Sequence, residues 1–394
     1  MRLILSSMGL IAATYGLARF GFGLFLPQFQ QAFDLDGATA GMIQAGSFLS
    51  YCVAAVIAAL GAKWPRLLVV CAGASASAGA LTVATAPSTA ILGIGVVVAG
   101  TGAGFATPGT VGLISRIIGE AKREGAQTTV NSGTGVGLVA AGLLLATTTE
   151  NWRTGWTIIA ITTALATVAT LTSARAGHPH HTSRFGEPAA DAHVRPHDLL
   201  ALRRVVAIAL CSGAGSAAVW TFGRSALDAA SPSFFTGQSY SVTAWILLGA
   251  MSVAGALAAR LVQRWSLSRA WSLTNLAMLV GTAGVGVDPG HPVIAFAAVS
   301  LFGAGYTAMT GVLIVWAMRL TPRSAAAGTV VLFVALALGQ AVGAWPLGAL
   351  QDFSSAPVMF FAAATIGAVA IAGQPRPVPA NRTPPDRRAV HGAR

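Results

Sequence analysis

The stretch Leu10-Ile-Ala-Ala-Thr-Tyr15-Gly-Leu-Ala-Arg19-Phe-Gly-Phe-Gly-Leu-Phe-Leu-Pro27 is apolar enough to cross a bilayer, yet it carries an arginine near its middle. A charged side chain at mid-bilayer costs about 2.5–3.5 kcal/mol on insertion scales, so it must face a partner or a water-filled cavity. The surrounding chain says which kind. Of its 394 residues, 54% are hydrophobic and only 9% charged, and the mean hydropathy is +0.69. A soluble domain devotes roughly 25% of its residues to charge. This chain has too little polar surface to face water all round, which makes it a polytopic membrane protein whose first partner is the lipid bilayer. A net charge of +12 would point to nucleic acid in a soluble protein. Here the bases sit in short loops, where they orient helices, and nucleic acid is excluded as a partner.

Working outward from Arg19, the first apolar run covers about 5–28 and ends at Pro27 without a small-x-small cleavage site, so it is expected to be a retained span. Charge-free runs then mark spans at about 37–62, two within 67–115 divided at Pro87-Ser88, 125–149 and 154–174. Residues 175–204 change character: His178, His180, His181, His193 and His197 mix with prolines and charges, and Leu199 to Leu202 reads as a short interfacial helix. The histidines have no accompanying Cys, and a solvated linker is expected rather than a metal site. Apolar runs resume at about 205–227, 237–259, 270–287, 292–318, 324–350 and 354–373. The Pro- and Arg-rich tail from Pro375 has the composition of a disordered segment. The expected fold is therefore an all-α membrane protein with twelve transmembrane helices in two pseudo-symmetric six-helix bundles: 1–174, a linker 175–204, 205–374 and a tail 375–394.

Basic residues set the orientation. Lys63, Arg66, Arg116, Lys122, Arg123, the linker arginines, Arg260, Arg264, Arg269, Arg319 and Arg323 all fall on one side. The other side carries Asp34, Asp36, Glu150, Asp288 and Asp352 against the single base Arg153. Both termini are thus expected in the cytoplasm of a bacterium, with the chain in the inner membrane. The halves repeat: Gly102-Ala103-Gly104-Phe105 matches Gly303-Ala304-Gly305-Tyr306, and Trp64 with Trp265 and Lys122 with Arg323 match at the same offset. Parallel repeats of this kind are a transporter architecture, with the site at the midplane.

On these features the chain resembles the major facilitator superfamily over essentially its whole length. The run Tyr15-Gly16-Leu17-Ala18-Arg19-Phe20-Gly21-Phe22-Gly23, closed by Leu26-Pro27, resembles the first helix of its YbfB/YjiJ-like group. The resemblance implies alternating access, with two bundles rocking about a central site. The loop after the second span departs from the superfamily's pattern. Gly61-Ala62-Lys63-Trp64-Pro65-Arg66 keeps the glycine and bases but lacks the acid of the charge relay. The fifth span has Gly133, Gly135, Gly137 and Gly142 but no Gly-Pro ending, which weakens drug–proton antiport.

Arg19 is the expected anchor for a small organic solute, more readily anionic than cationic, because a guanidinium grips carboxylate or phosphate with two parallel hydrogen bonds. It could instead cap carbonyls or tie two helices together. Tyr15 lies one turn before it and either shares in binding or covers the guanidinium. Arg224 is the second in-span base. Aligning Pro27 with Pro232 sets it opposite Arg19, whereas the glycine motif sets Trp220 there. Asp228 follows at ion-pair spacing, so Arg224 is either a second binding residue or half of a pair at the outer rim. Gln44, Tyr51, Asn131, Tyr240, Trp245, Tyr306, Thr307, Thr310 and Gln340 are polar or aromatic residues at depth, each a lining candidate or a helix-to-helix hydrogen bond. Gly61, Lys63, Arg66, Asp34 and Asp228 are the conformational candidates. No Asp, Glu or His lies well inside a span, which directs proton coupling to boundary acids such as Asp34, Asp228 or Glu120, or else to counter-anion exchange. The same gap argues against an intramembrane hydrolase, which would need a base or paired carboxylates beside a nucleophile, and no enzymatic activity is expected. No cofactor or metal is expected: the three cysteines, Cys52, Cys71 and Cys211, lie in apolar runs without ligand spacing, and the GxG repeats follow no strand. The expectation is a monomeric secondary transporter. A multidrug/proton antiporter and a non-transporting sensor are the alternatives.

Overall fold

The computed structural model describes residues 1–148, 151–176, 196–235, 239–262, 266–322 and 324–373, and every regular element among them is helical. In chain order these are α1 (Arg2–Phe33), α2 (Gly37–Leu60), α3 (Pro65–Ala84), α4 (Thr89–Ile117), α5 (Glu120–Thr147), α6 (Trp152–Ala176), α7 (Pro196–Ala229), α8 (Ser239–Val262), α9 (Leu267–Val287), α10 (Pro292–Leu320), α11 (Ala325–Phe353) and α12 (Ala356–Ala372). Ten of these described helices are long and apolar enough to cross a membrane; the apolar stretches Ser239–Gly255 and Ala356–Ala372 are shorter. Helices are what an apolar chain must form in lipid, since each N–H and C=O then finds its partner within one segment.

Local chemistry sets the ends. Asp36 caps α2, accepting a hydrogen bond from the Thr39 N–H at 2.7 Å, and the hydrogen bonds from Thr39 hold its carboxyl below the usual carboxylate range. Pro65 and Pro292 open α3 and α10, where a missing N–H costs nothing. Asp34 ends α1 in a left-handed conformation (φ 54°). Within α1, Ala12–Arg19 is wound as a π-helix, closed by the Phe20 N–H donating to the Tyr15 carbonyl at 3.1 Å. The residue pattern gives no sign of this winding.

α1 packs on α5, α4 and α6, and α3 on α4 and α6; α7 packs on α11 and α12, and α9 on α10 and α12. The sets meet through α2 with α11, α5 with α8, and the end of α1 with α7. Backbones touch at these seams. A Cβ on Gly137 would stand 2.2 Å from the Ala12 carbonyl oxygen, and one on Gly133 2.5 Å from that of Met8. The same contact recurs between Gly339 and Leu210 and between Gly343 and Ala214. Counting on from Ala12 and Ala214 sets Arg19 opposite Thr221, next to Trp220, so the glycine-based alignment is close and the Pro27–Pro232 one is not.

The glycine motif itself is misregistered by the sequence match. Gly102 faces α3 at Ala72 and Ala76, while Gly303 faces α8 at Leu248; Gly104 faces α2 at Tyr51, while Gly305 faces α9 at Thr274 and Met278. Two glycines two apart point to opposite sides of a helix, so the motif offers one small residue to each of two neighbours, and identity alone does not say which.

Several expected boundaries shift. α1 extends beyond 5–28 at both ends, and α7 begins at Pro196, so the end of the expected linker, including Leu199 to Leu202, belongs to a long helix. The first five residues of α5 are also helical, and its two segments meet at Ser132. His178, His180, His181, His193, Trp265, Arg323 and the tail from Gln374 lie outside the described residues.

Gly9, Gly16 and Gly23 recur every seven residues along α1; a Cβ on Gly16 would meet Gly137 and one on Gly23 the Trp220 carbonyl, but nothing lies within 4 Å of a Cβ on Gly9. Gly16→Ala and Gly23→Ala should each destabilise the purified protein by about 1–3 kcal/mol through overpacking. Gly9→Ala should hold or raise the apparent melting temperature, since helical Ala is favoured over Gly by about 1 kcal/mol. Thermal unfolding of the three variants in detergent checks this.

Candidate functional site

The π-helical turn delivers Arg19 into the interior, where the residue is only 4% exposed. Four rings surround its guanidinium: the ring centroids of Tyr51, Phe20, Phe48 and Tyr15 lie 3.9, 5.4, 5.4 and 5.6 Å from its central carbon. Such faces stabilise a cation without neutralising it. Nη2 donates to the Gln340 Oε1 at 3.1 Å. Nε is buried without a hydrogen-bond partner. Among the described residues the one ion pair involves Arg224, and no carboxylate pairs with Arg19.

Gln340 belongs to α11, so its bond to Arg19 on α1 joins two distant parts of the chain. Its Nε2 donates to the Tyr306 hydroxyl at 3.2 Å and the Ser216 hydroxyl at 3.4 Å. On the other side of Arg19, the Tyr15 hydroxyl donates to that of Tyr51 at 3.4 Å and lies 3.0 Å from the Thr107 Oγ1, which must then be the donor between those two. Proton counting leaves the Tyr51 and Tyr306 O–H groups free to donate. Trp220 stacks on Phe20 with centroids 4.1 Å apart and stands edge-on to Tyr306 at 5.1 Å and to Phe302 at 5.3 Å. The constellation combines one unneutralised cation, free donors and aromatic walls.

Tyr15, Arg19, Tyr51, Trp220, Tyr306 and Gln340, singled out as separate positions along the chain, therefore meet in one place. Gln44 lies on the same stripe of α2 as Phe48 and Tyr51, fully buried, with neither amide atom hydrogen-bonded. Trp245 stands edge-on to Trp220 at 6.2 Å. Asn131 is exposed at the end of Glu120–Asn131. Thr310 donates to the Thr307 carbonyl at 2.7 Å, within its own helix. Tyr240 sits at the acidic end, donating to the Pro289 carbonyl at 2.6 Å.

Arg224 has a different setting. It is 1% exposed; Nη1 donates to the Leu24 carbonyl and, at 2.8 Å, to the Gln28 Oε1, Nε donates to the Ser241 hydroxyl at 3.3 Å, and Nη2 lies 3.6 Å from the Asp228 carboxylate. Ser241 in turn donates to Asp228 at 2.7 Å. This guanidinium is consumed by the seam between α7 and α1. Nearby, Asp352 of α11 accepts from the Gly37 and Ala38 N–H groups of α2 at 2.8 and 2.7 Å, and Ser225 donates to Gln30 at 2.6 Å. At the basic end, Gly61 closes α2, the Lys63 carbonyl accepts from Arg116 at 2.7 Å, the Lys63 ammonium lies over Trp64, and Arg66 donates to the Ala174 carbonyl at 3.5 Å. Asp34 has its place at the end of α1.

The family model of the major facilitator superfamily matches residues 8–344. The chain belongs to the major facilitator superfamily. It is a multi-pass membrane protein of transporter type. A search by sequence among curated proteins gave no match. Among solved structures it is similar to a bacterial homologue of the human lysosomal transporter Spinster, inward-facing and unoccupied (TM-score 0.77, 14% identity, 94% of this chain and 95% of that one). It is also similar to the nucleoside transporter NupG (0.72, 14%, 94% and 96%) and to a POT family transporter in complex with a thioalcohol-conjugated peptide (0.72, 13%, 94% and 94%). Identities this low speak for the fold alone. In this major facilitator chain, Phe20, Phe48, Thr107, Ser216 and Gln28 were not marked by the sequence, and Asp352 was marked only as an acid of the outer side. The aromatics pass for lipid-facing residues, and the polar ones act through contacts far apart in sequence.

The two arginines should separate in a stability measurement. Arg224→Leu leaves Asp228 and Gln28 without their cation and should cost about 3–5 kcal/mol. Arg19→Leu removes a cation with an unmet donor and should be neutral or stabilising, within about 1 kcal/mol. Apparent melting temperatures of the two variants, measured side by side, test the contrast.

Proposed function

We propose that this chain is a secondary active transporter that carries a small organic anion by alternating access, with Arg19 as its anchor. The observation that carries the reading is the donor-rich surround of Arg19: a buried guanidinium without a carboxylate, flanked by free phenol O–H groups. Such a set welcomes acceptor oxygens and repels cations. In low dielectric the attraction is much stronger than in water, and an anion taking the place of the Gln340 amide oxygen replaces a neutral acceptor with a charged one, so that donor and acceptor are both ionised. Gln340, from α11, then feels at once whether the site is filled.

In this reading α8 and α12 also span, giving twelve spans in two bundles of six, with Pro196–Arg204 a helical extension of the linker. The basic loops and both termini face the cytoplasm of a bacterium and the acidic end faces outward. The contacts of Arg224 with Leu24 and Gln28, and of Asp352 with Gly37 and Ala38, close the outer end, and rocking of the bundles must break them. Gly61, Lys63 and Arg66 lie where the inner end would close. Coupling runs through a proton or a counter-anion, and the carrier works as a monomer.

Small organic anions should raise the apparent melting temperature of the purified protein in a concentration-dependent way. Arg19→Lys should weaken that response about tenfold or more, since an ammonium lacks the two-pronged fork. Gln340→Glu should abolish it by tethering a carboxylate to Arg19. A response confined to lipophilic cations, equal in wild type and Arg19→Lys, would replace this reading with drug export. Binding without flux in proteoliposomes would make the chain a sensor.

A further inference from the structure

The charge count and the walls of the site narrow the ligand further. Arg19 is the one cation at mid-depth left unneutralised among the described residues; the other buried guanidinium, Arg224, is engaged by Leu24, Gln28, Ser241 and Asp228. A ligand with one negative charge leaves the site neutral. A second charge would have no counter-ion in apolar surroundings, where an unpaired ion is strongly disfavoured. The free groups around Arg19 are mostly donors, so a polyol body, which needs acceptors for its own hydroxyls, would leave buried O–H groups unmet.

The body of the ligand is fixed by the rings. Tyr15 from α1 and Tyr306 from α10 are only half-buried, unlike the other aromatics of the cluster. Each is braced from behind: Tyr15 edge-on by Tyr51, centroids 6.0 Å apart, and Tyr306 edge-on by Trp220 at 5.1 Å. Tyrosine rings are flat and rigid, and a flat ring prefers to stack on such walls or meet them edge to face. We infer that the site takes a planar aromatic monocarboxylate, its carboxylate on Arg19 and its ring between Tyr15 and Tyr306. The inference rests on the reading of Arg19 as an anion anchor and adds to it the charge and shape of the ligand.

Isothermal titration of the purified full-length protein at about pH 7.5, where a phosphate monoester carries nearly two charges, tests it with benzoate, cyclohexanecarboxylate, phthalate, phenyl phosphate and gluconate. Benzoate should bind about tenfold or more tightly than phthalate, phenyl phosphate or gluconate, and about fivefold more tightly than cyclohexanecarboxylate. Tyr306→Leu should erase the preference for benzoate over cyclohexanecarboxylate, whereas Tyr306→Phe, which keeps the ring, should retain it. Phthalate, phenyl phosphate or gluconate binding as tightly as benzoate, with loss in Arg19→Gln, overturns the aromatic monocarboxylate and leaves the anion carrier standing. An unchanged benzoate preference in Tyr306→Leu overturns the stacking role. If none of the five anions binds, the anchor reading falls with it.

Discussion

A guanidinium cannot shed its proton to escape an apolar interior, so everything around Arg19 has to accommodate a permanent charge. The chain does this without spending an acid. Four aromatic rings surround the cation and one amide oxygen accepts from it, which holds the group in place but leaves its charge unbalanced. A carboxylate in the same position would hold it more firmly and would also close the site to any anion. The incomplete solution leaves a net positive charge in the interior, on which the proposed binding of an anionic solute rests.

Bringing those partners together requires helices to approach more closely than side chains ordinarily permit. The glycines at the α1–α5, α2–α4 and α7–α11 seams face the carbonyls of their neighbours, at distances that no Cβ could share. Water provides no hydrophobic drive between helices in lipid, so close van der Waals packing must supply the cohesion. At the α1–α5 seam the π-helical turn has a second effect. It adds a residue to the turn that carries Tyr15, Gly16 and Arg19, so Gly16 rests on Gly137 while Arg19 is turned towards α2 and α11.

How much of this the sequence discloses depends on the range of the interaction. The membrane class, the run of apolar helices and the interior setting of Arg19 follow from composition and from one charge in an apolar run, both local signals. Tyr15, Tyr51, Tyr306 and Gln340 are legible as polar groups where polarity is costly. Phe20 and Phe48 are not, because an aromatic ring under a cation has the same sequence signature as one against lipid. The π-helix is invisible because nothing in the residue types of Ala12–Arg19 marks it, and the contact that accompanies it, Gly16 on Gly137, joins positions far apart in the chain. The repeat motif misleads for a related reason: Gly-Ala-Gly serves two faces, and residue identity does not record which face meets which helix. The 177–195 segment with its histidines lies outside the described residues, so its expected linker role stands as a sequence reading alone.

The contrast between the two buried arginines follows from their depth and from what each must do. Arg224, towards the acidic end, satisfies a helix carbonyl, an amide, a hydroxyl and a carboxylate, and its bonds to the carbonyl of Leu24 and the amide of Gln28 cross from α7 to α1. The bonds to Leu24 and Gln28 are lost if α1 and α7 separate, so the group stabilises one arrangement of the chain against others. Arg19 makes a single side-chain hydrogen bond, also across the seam, and keeps a buried donor unused. A cation that is fully satisfied favours one conformation and gains nothing from a ligand. A cation left incomplete costs stability when the site is empty, and a bound anion returns that free energy. Differential stabilisation of this kind is the only means by which a ligand shifts a conformational equilibrium. The proposed alternating carrier requires both kinds of group, and in that proposal the same residue type serves both parts, distinguished by its neighbours alone.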